Sequence, residues 1–334
     1  MMGRMRRSRA TGAAYSKKGR SMAANRLNRS LAVIVVAGLA AGLFPPVAHA
    51  QLSETAEWAI SVGRTVRSAP NVTYLTANGW DGKLDIYVPR SEGPHPAFIY
   101  FHGGAHVFGS KEASFLTLLP YLEMGWAVVN VEYRLAPMAH APAAVEDCLC
   151  AVRWVIENGE DYGIDTSRLV LTGNSAGGHL ALAAGMIPGS TGLDRQCPGA
   201  PIEVAGIVNW YGITDVLERL EGPHSRPGTV RWFGSNPDRR ELAQFLSPLT
   251  YLREGLPAII TIHGDEDPRI PHTQAIRLHE GLEGKGVPNR LITIPGGGHG
   301  GFSQEEMVRS YAAIQEFLGR HVSGQAAPSN TAAP

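Results

Sequence analysis

The sequence predicts an α/β domain with a doubly wound, mostly parallel central sheet and helices on both faces. Three observations carry that expectation. Ala97-Phe98-Ile99-Tyr100-Phe101 and Trp126-Ala127-Val128-Val129-Asn130-Val131 are almost continuously apolar, as strands buried on both faces of a parallel sheet are. Strand-like runs alternate with helix-spaced runs over most of the chain after them, the order that crossover-connected parallel strands require. Gly173-Asn174-Ser175-Ala176-Gly177 stands between the strand-like run 168–172 and a helix-like run from Gly178 to about Met186, which is a G-x-S-x-G turn in a strand-to-helix setting. With 334 residues, 44% hydrophobic and 18% charged, the chain has apolar material for one substantial core.

Taken in order, residues 1–50 hold nine Lys or Arg and no Asp or Glu, then the apolar run from Leu31 to Phe44 and Ala48-His49-Ala50. An apolar region of about 14 residues before a small-x-small site fits a secretory signal peptide better than a membrane span, which needs about 20. Cleavage would leave Gln51 first, an uncleaved anchor is the alternative, and Met22 is a possible true start. The expectation is a periplasmic or secreted protein with no stable membrane span after cleavage. Residues 51–334 then carry 21 basic and 30 acidic side chains, about −9, with no basic stripe. This excludes nucleic acid as an expected partner, because that binding is driven by phosphate neutralisation.

A short amphipathic segment at 51–70 leads into strands at 72–75 and 83–89, with Asn78-Gly79 and Asp81-Gly82 between them. Such dipeptides favour the positive φ of a tight turn, so this pair reads as an antiparallel hairpin at a sheet edge. The segment Ala141–Asn158 places Ala144, Val145, Cys148, Val152 and Val155 at helical spacing, which lets it cover one face of the sheet. Further strands are expected at 204–210, 258–263 and 290–294, and helices at about 273–285 and 304–320. A catalytic domain over 51–322 follows. Within it, 217–256 is rich in charge and proline and reads as a small lid. Residues 323–334 have nothing to bury and read as a disordered tail.

Cysteine allows one bridge at most: Cys148 and Cys150 face different directions on one helix, so a bridge would have to link Cys197 to one or the other. None has metal-ligand spacing around it, and neither a metal nor another cofactor is expected.

The chemistry centres on Ser175. Side chains at 173 and 177 would collide with neighbouring chain, while the turn holds the serine hydroxyl outward. The following helix directs its first amides at the same place, so a negative oxygen formed there is stabilised. His102-Gly103-Gly104-Ala105 directly follows the apolar strand 97–101 and can supply a second arm of such an oxyanion hole. The expected donors are Gly103, Gly104 and Ala176. A serine needs a base and an orienting acid. His299, in the glycine-rich loop 295–302, is the base by position; His102, His179 and His263 read as structural. Of the carboxylates in His263-Gly264-Asp265-Glu266-Asp267-Pro268, Asp267 is chosen over Asp265. Pro268 biases it to a fixed extended presentation, and Asp265 is close enough to the strand end to brace the turn. Trp210 and Tyr211 are candidates to contact an acyl or sugar group, with core packing as the alternative.

Together these motifs, with Glu132-Tyr133-Arg134-Leu135-Ala136-Pro137, Ala143-Ala144-Val145-Glu146-Asp147 and Gly298-His299-Gly300, resemble the α/β-hydrolase esterases of the hormone-sensitive-lipase and bacterial feruloyl-esterase-like (BD-FAE) kind, from about residue 83 to 320. The resemblance implies an α/β-hydrolase fold and a cofactor-free serine carboxylesterase working through an acyl-enzyme. Ser175 is the implied nucleophile, Asp267 the acid and His299 the base, and the implied substrates are small-molecule or carbohydrate esters of short acyl or aryl acids, acetyl and feruloyl esters among them. A peptidase on the same fold and a noncatalytic binding protein on a hydrolase scaffold are the alternatives. Two positions depart from the family pattern: Ala105 stands where a third glycine is common, and Asn174 where Asp or Gly is frequent. Arg134 and Asp147 are expected to form a structural ion pair.

Overall fold

The computed structural model describes residues 52–199 and 201–323. The expected signal peptide at 1–50 and the tail from residue 324 lie outside the described residues.

Eight strands form one sheet in the order β1-β2-β4-β3-β5-β6-β7-β8. The chain enters through α1 (Glu54–Thr65), whose first turn is capped by Ser53. It passes directly into β1 (Val66–Ala77) and returns antiparallel in β2 (Trp80–Pro89). β1 therefore begins inside the segment read as a short amphipathic lead-in. Pro70, Asn71 at φ 58° and two register shifts interrupt its alternation, and such bulges erase the period by which a strand is recognised. Asn78 and Gly79, at φ 52° and 77°, make the turn, whereas Asp81-Gly82 lies inside β2.

From β3 (His95–Phe101) onward the sheet is parallel, through β4 (Ala127–Val131), β5 (Ile164–Asn174), β6 (Gly206–Trp210), β7 (Ala258–Gly264) and β8 (Asn289–Ile294). Side-chain alternation divides the core in two. Ile99, Phe101, Leu171 and Ile207 pack on one face with α3 (Ala143–Asn158), α4 (Ala176–Met186) and α8 (His272–Glu283). Phe98, Tyr100, Val170, Val208 and Ile260 pack on the other with α1, α2 (Phe115–Glu123) and α9 (Gln304–His321). Helix α2 was not expected: Pro120 lies inside it, and an internal proline reads as a helix stop. The parallel β3–β4 pair nevertheless demands a crossover, and Leu118, Leu119 and Tyr121 bury it.

The segment expected to form a lid lies between β6 and β7 and folds into three short helices: α5 (Val216–Leu220), α6 (Pro227–Phe233) and α7 (Arg239–Phe245). Trp232 and Phe233 are fully buried and tie it to the main core. Arg134 and Asp147 form the buried ion pair anticipated, with Nη2 and Nε on the carboxylate at 2.7–3.0 Å and the Arg134 amide on Oδ2 at 2.8 Å. Cys197 pairs with Cys150, while Cys148 is free and buried among core side chains. Among the described residues no helix is long and apolar enough to cross a membrane.

Candidate active site

Ser175 joins the central strand β5 to α4 at φ 57°, ψ −117°, a backbone conformation costly for a residue with a side chain. Close packing on both sides enforces it. A Cβ on Gly173 would stand 2.4 Å from the Phe101 carbonyl oxygen, and one on Gly177 only 1.9 Å from the same atom. The Ser175 amide donates to the Trp210 carbonyl at 2.9 Å, which fixes the turn against β6.

His299 and Asp267 come from the loops that follow the adjacent strands β8 and β7. These loops touch: a Cβ on Gly264 would lie 2.1 Å from the Gly297 carbonyl oxygen. Asp265 Oδ1 accepts the Gly296 amide at 2.6 Å, so Asp265 braces the histidine loop and leaves Asp267 to face the ring. His299 Nδ1 lies 2.7 Å from Asp267 Oδ2, and Nε2 lies 2.8 Å from Ser175 Oγ. Because a carboxylate only accepts, Nδ1 donates and the Nε2 lone pair is left for the serine hydroxyl.

Asp267 is held from several directions. Oδ1 accepts the Arg269 and Ile270 amides at 2.7 and 3.0 Å. His263 Nε2 stands 3.2 Å from Oδ2. Burial opposes ionisation of Asp267, but its bonds from His263, His299 and the Ile270 amide outweigh burial and hold the carboxyl well below the usual carboxylate range. His263, read in the sequence as structural, is therefore a second imidazole on this carboxylate. Its i,i+4 spacing to Asp267 across a glycine was the available signal.

The oxyanion loop requires a correction. The Gly103 amide is not free, because it donates to Asn174 Oδ1 at 3.1 Å. That carboxamide oxygen also accepts from Tyr100 Oη at 2.8 Å, so Asn174 anchors the loop. Gly104 continues at φ 130°, where a Cβ would overlap the Phe108 carbonyl, and Ala105 follows at φ 55°. Both line the cavity beside Ser175, and among the described residues neither amide has an acceptor. Ala176 supplies the first amide of α4, one that helix geometry leaves without a partner. Ala105 was noted in the sequence only as a departure from glycine.

Behind this loop, His106 Nε2 lies 3.0 Å from His179 Nδ1, and His179 Nε2 donates to the Leu246 carbonyl at 2.9 Å. The His106 ring stacks on Trp232 at 3.9 Å. Burial holds both imidazoles neutral, lowering His179 to about 4 and His106 well below its ordinary value. The pair links the oxyanion loop, the helix after Ser175 and the segment expected to form a lid. His106 escaped the sequence reading because only tertiary packing brings it to α4.

The cavity has a volume of about 760 Å³. It is lined by Gly104, Ala105, Ser175, Tyr211 and His299, and also by Arg219, Arg226, Gly228, Arg269 and Ile270. Tyr211 fits the substrate-contact expectation in position, and its ring lies 4.8 Å from that of His299. Trp210 does not line the cavity. Strand alternation turns it to the opposite core, where its indole nitrogen donates to Tyr121 Oη at 2.8 Å.

Residues 84–282 match the BD-FAE family. The chain is 30% identical over 274 residues to an ethyl acetate hydrolase of Pseudomonas putida, covering 75% of this chain and 82% of that one. It is 28% identical over 253 residues to esterase LipQ of Mycobacterium tuberculosis, covering 72% of this chain. It spans only 60% of LipQ and 53% of esterase LipC of the same organism. Among solved structures, a truncated carbohydrate esterase from gut microbiota superposes with a TM-score of 0.66 at 26% identity, over 78% of this chain and 98% of that one. A thermophilic esterase of Thermogutta terrifontis does so with 0.64 at 25% identity, over 81% and 99%.

Proposed function

We propose that this chain, which belongs to the BD-FAE family of α/β-hydrolase esterases, is a serine carboxylesterase acting on short-chain acyl or aryl esters, with acetyl and feruloyl esters of carbohydrate as the class to examine first. The observation that carries the reading is the unbroken line from Asp267 through His299 to Ser175 Oγ, with contacts of 2.7 and 2.8 Å, at a cavity lined by Ser175 and His299. The relatives named ethyl acetate hydrolase and carbohydrate esterase support the choice of small acyl groups and of carbohydrate.

In the proposed reaction Ser175 Oγ attacks the ester carbonyl as its proton passes to His299 Nε2. The developing oxyanion is met by the amides of Gly104, Ala105 and Ala176, each such donor contributing roughly 10²–10³ in turnover. Collapse of the tetrahedral species breaks the bond to the alkoxide, which takes the proton from Nε2 and leaves an acyl-serine. Water, deprotonated by the same nitrogen, then releases the acid. Asp267 remains ionised throughout, holding the Nδ1 proton in place and stabilising the imidazolium. We also infer export through the basic and apolar leader; the Cys150–Cys197 pairing fits an oxidising compartment.

The test is hydrolysis of nitrophenyl esters from acetyl to dodecanoyl by residues 51–334, beside Ser175→Ala. Activity that peaks at short chains and falls by about 10⁴-fold or more in the variant is expected. Equal rates for the two proteins at every chain length would sink the serine mechanism.

A further inference from the structure

Part of the wall of the cavity that holds Ser175 is cationic without being neutralised. Arg219, Arg226 and Arg269 line the cavity, and no Asp or Glu does. Among the described residues none of the three forms an ion pair. Arg219 is the telling one. It is 98% buried, since only 2% of it is exposed. Its Nη1 donates to the His224 carbonyl, but its Nε is enclosed with no acceptor. The carboxylates that act on it electrostatically, Glu218 and Asp267, are committed elsewhere: Glu218 to Arg277 and Gln274, Asp267 to the two imidazoles. Burial, and then the like charge of Arg226, lower the Arg219 guanidinium to about 10. Arg226 donates only to backbone carbonyls, those of Ser225 and Pro268.

A buried, unpaired guanidinium beside a second one is unfavourable in the empty protein, and a bound anion would relieve it. The arrangement is local, because residues 51–334 have an excess of acidic side chains. Guanidinium groups match planar oxyanions through paired N–H donors. We propose that the cavity selects esters bearing a second, anionic group, a carboxylate held by Arg219, Arg226 and Arg269 while the ester carbonyl lies at Ser175. The carboxylate can belong to the acyl part or to the alcohol part, as in an acidic sugar. The inference rests on the ester-hydrolase reading of the cavity and specifies its substrate class.

The experiment reads binding, so that it is independent of turnover. Ser175→Ala protein is titrated by calorimetry with monomethyl glutarate against dimethyl glutarate, an acyl-side carboxylate, and with 3-acetoxybenzoate against its methyl ester, an alcohol-side one. The anionic member of at least one pair is expected to bind about tenfold tighter or more, and the pair in which it does so identifies the side. Adding Arg226→Gln and Arg269→Gln should bring that ratio to within about threefold of unity, as should 1 M NaCl. Arg219→Gln is included with a check of folding, since that residue is buried. No anionic preference in either pair overturns the proposal, whether both members bind equally or neither binds at millimolar concentration. So does a preference that survives the Arg226 and Arg269 substitutions. Failure of ester hydrolysis itself would appear separately, in the nitrophenyl series.

Discussion

The stretch of cavity wall that carries Ser175 is shaped by backbone packed against backbone, whereas the stretch that carries the arginines is shaped by charged side chains from outside the sheet. On the first, Gly173 and Gly177 press against the Phe101 carbonyl, and Asn174 pins the oxyanion loop through the Gly103 amide. On the second, Arg219 and Arg226 belong to the helical segment between β6 and β7, and Arg269 to the loop after β7. The difference teaches where variation can be tolerated. A geometry set by close contacts leaves room for few residue types, while a charge set on a peripheral segment can be exchanged without moving the nucleophile. We therefore propose that the reaction belongs to the first stretch and the choice of substrate to the second.

The sharpest way to break that division is at the proposed acid. Asp267→Asn should lower kcat by about 10⁴-fold, because a carboxamide no longer enforces the Nδ1–H tautomer of His299. Stopped-flow or steady-state kinetics on nitrophenyl acetate would read it. A loss of less than tenfold would mean that His263 and the loop amides orient the ring without the charge.

Stability should separate the walls next. Gly177→Ala is expected to destabilise the protein by about 3 kcal/mol or more in urea unfolding, since its Cβ would stand 1.9 Å from a carbonyl oxygen in the sheet. Retention of wild-type stability would show that the elbow can relax.

The imidazole pair behind the oxyanion loop predicts a pH dependence. Its folded-state values lie below the ordinary 6.5, at about 4 for His179. Between pH 6.5 and 4 the unfolded chain thus binds more protons, and stability falls as pH falls, by at most ~1.4 kcal/mol per pH unit for each such ring. His279, also lowered to about 4, adds a fall of the same sign. The depressed Asp267 adds its own loss only at lower pH, as its carboxyl takes up a proton. Urea midpoints from pH 7 to 4 should therefore decline, and His179→Asn should flatten the decline. A slope unchanged by that variant would place the titration elsewhere.

The smallest effect is expected on the second wall. Arg269 is exposed and unpaired, so Arg269→Gln should change unfolding free energy by no more than about 0.5 kcal/mol. A larger loss would make this arginine part of the scaffold.

Local patterns in the sequence carried much of this protein. Continuous apolar runs mark buried parallel strands whatever the rest of the chain does, and a glycine-flanked serine between strand and helix is a short-range constraint. Hence β3 to β8, the elbow, and the choice of Asp267 over Asp265 were legible, the last because Pro268 stiffens its neighbour. Where local signals conflict, legibility failed. Bulges hid the first half of β1, and Pro120 hid α2, whose place follows from the crossover that the parallel pairing of β3 and β4 demands.

Residue types and order along the chain were thus enough to indicate the architecture, the three proposed catalytic side chains and the limit of one disulfide. Tertiary structure alone decided that Cys150 is the partner of Cys197, that the Gly103 amide is spent on Asn174, that Trp210 turns away from the cavity, and that His263 shares Asp267 with His299. It alone brought three arginines from two separate segments to one wall. The physical reason is common to all of these. Periodicity and turn chemistry act over a few residues, but the direction of a side chain and the acceptor that an amide meets depend on neighbours tens of residues away, which only the assembled sheet brings within hydrogen-bonding distance.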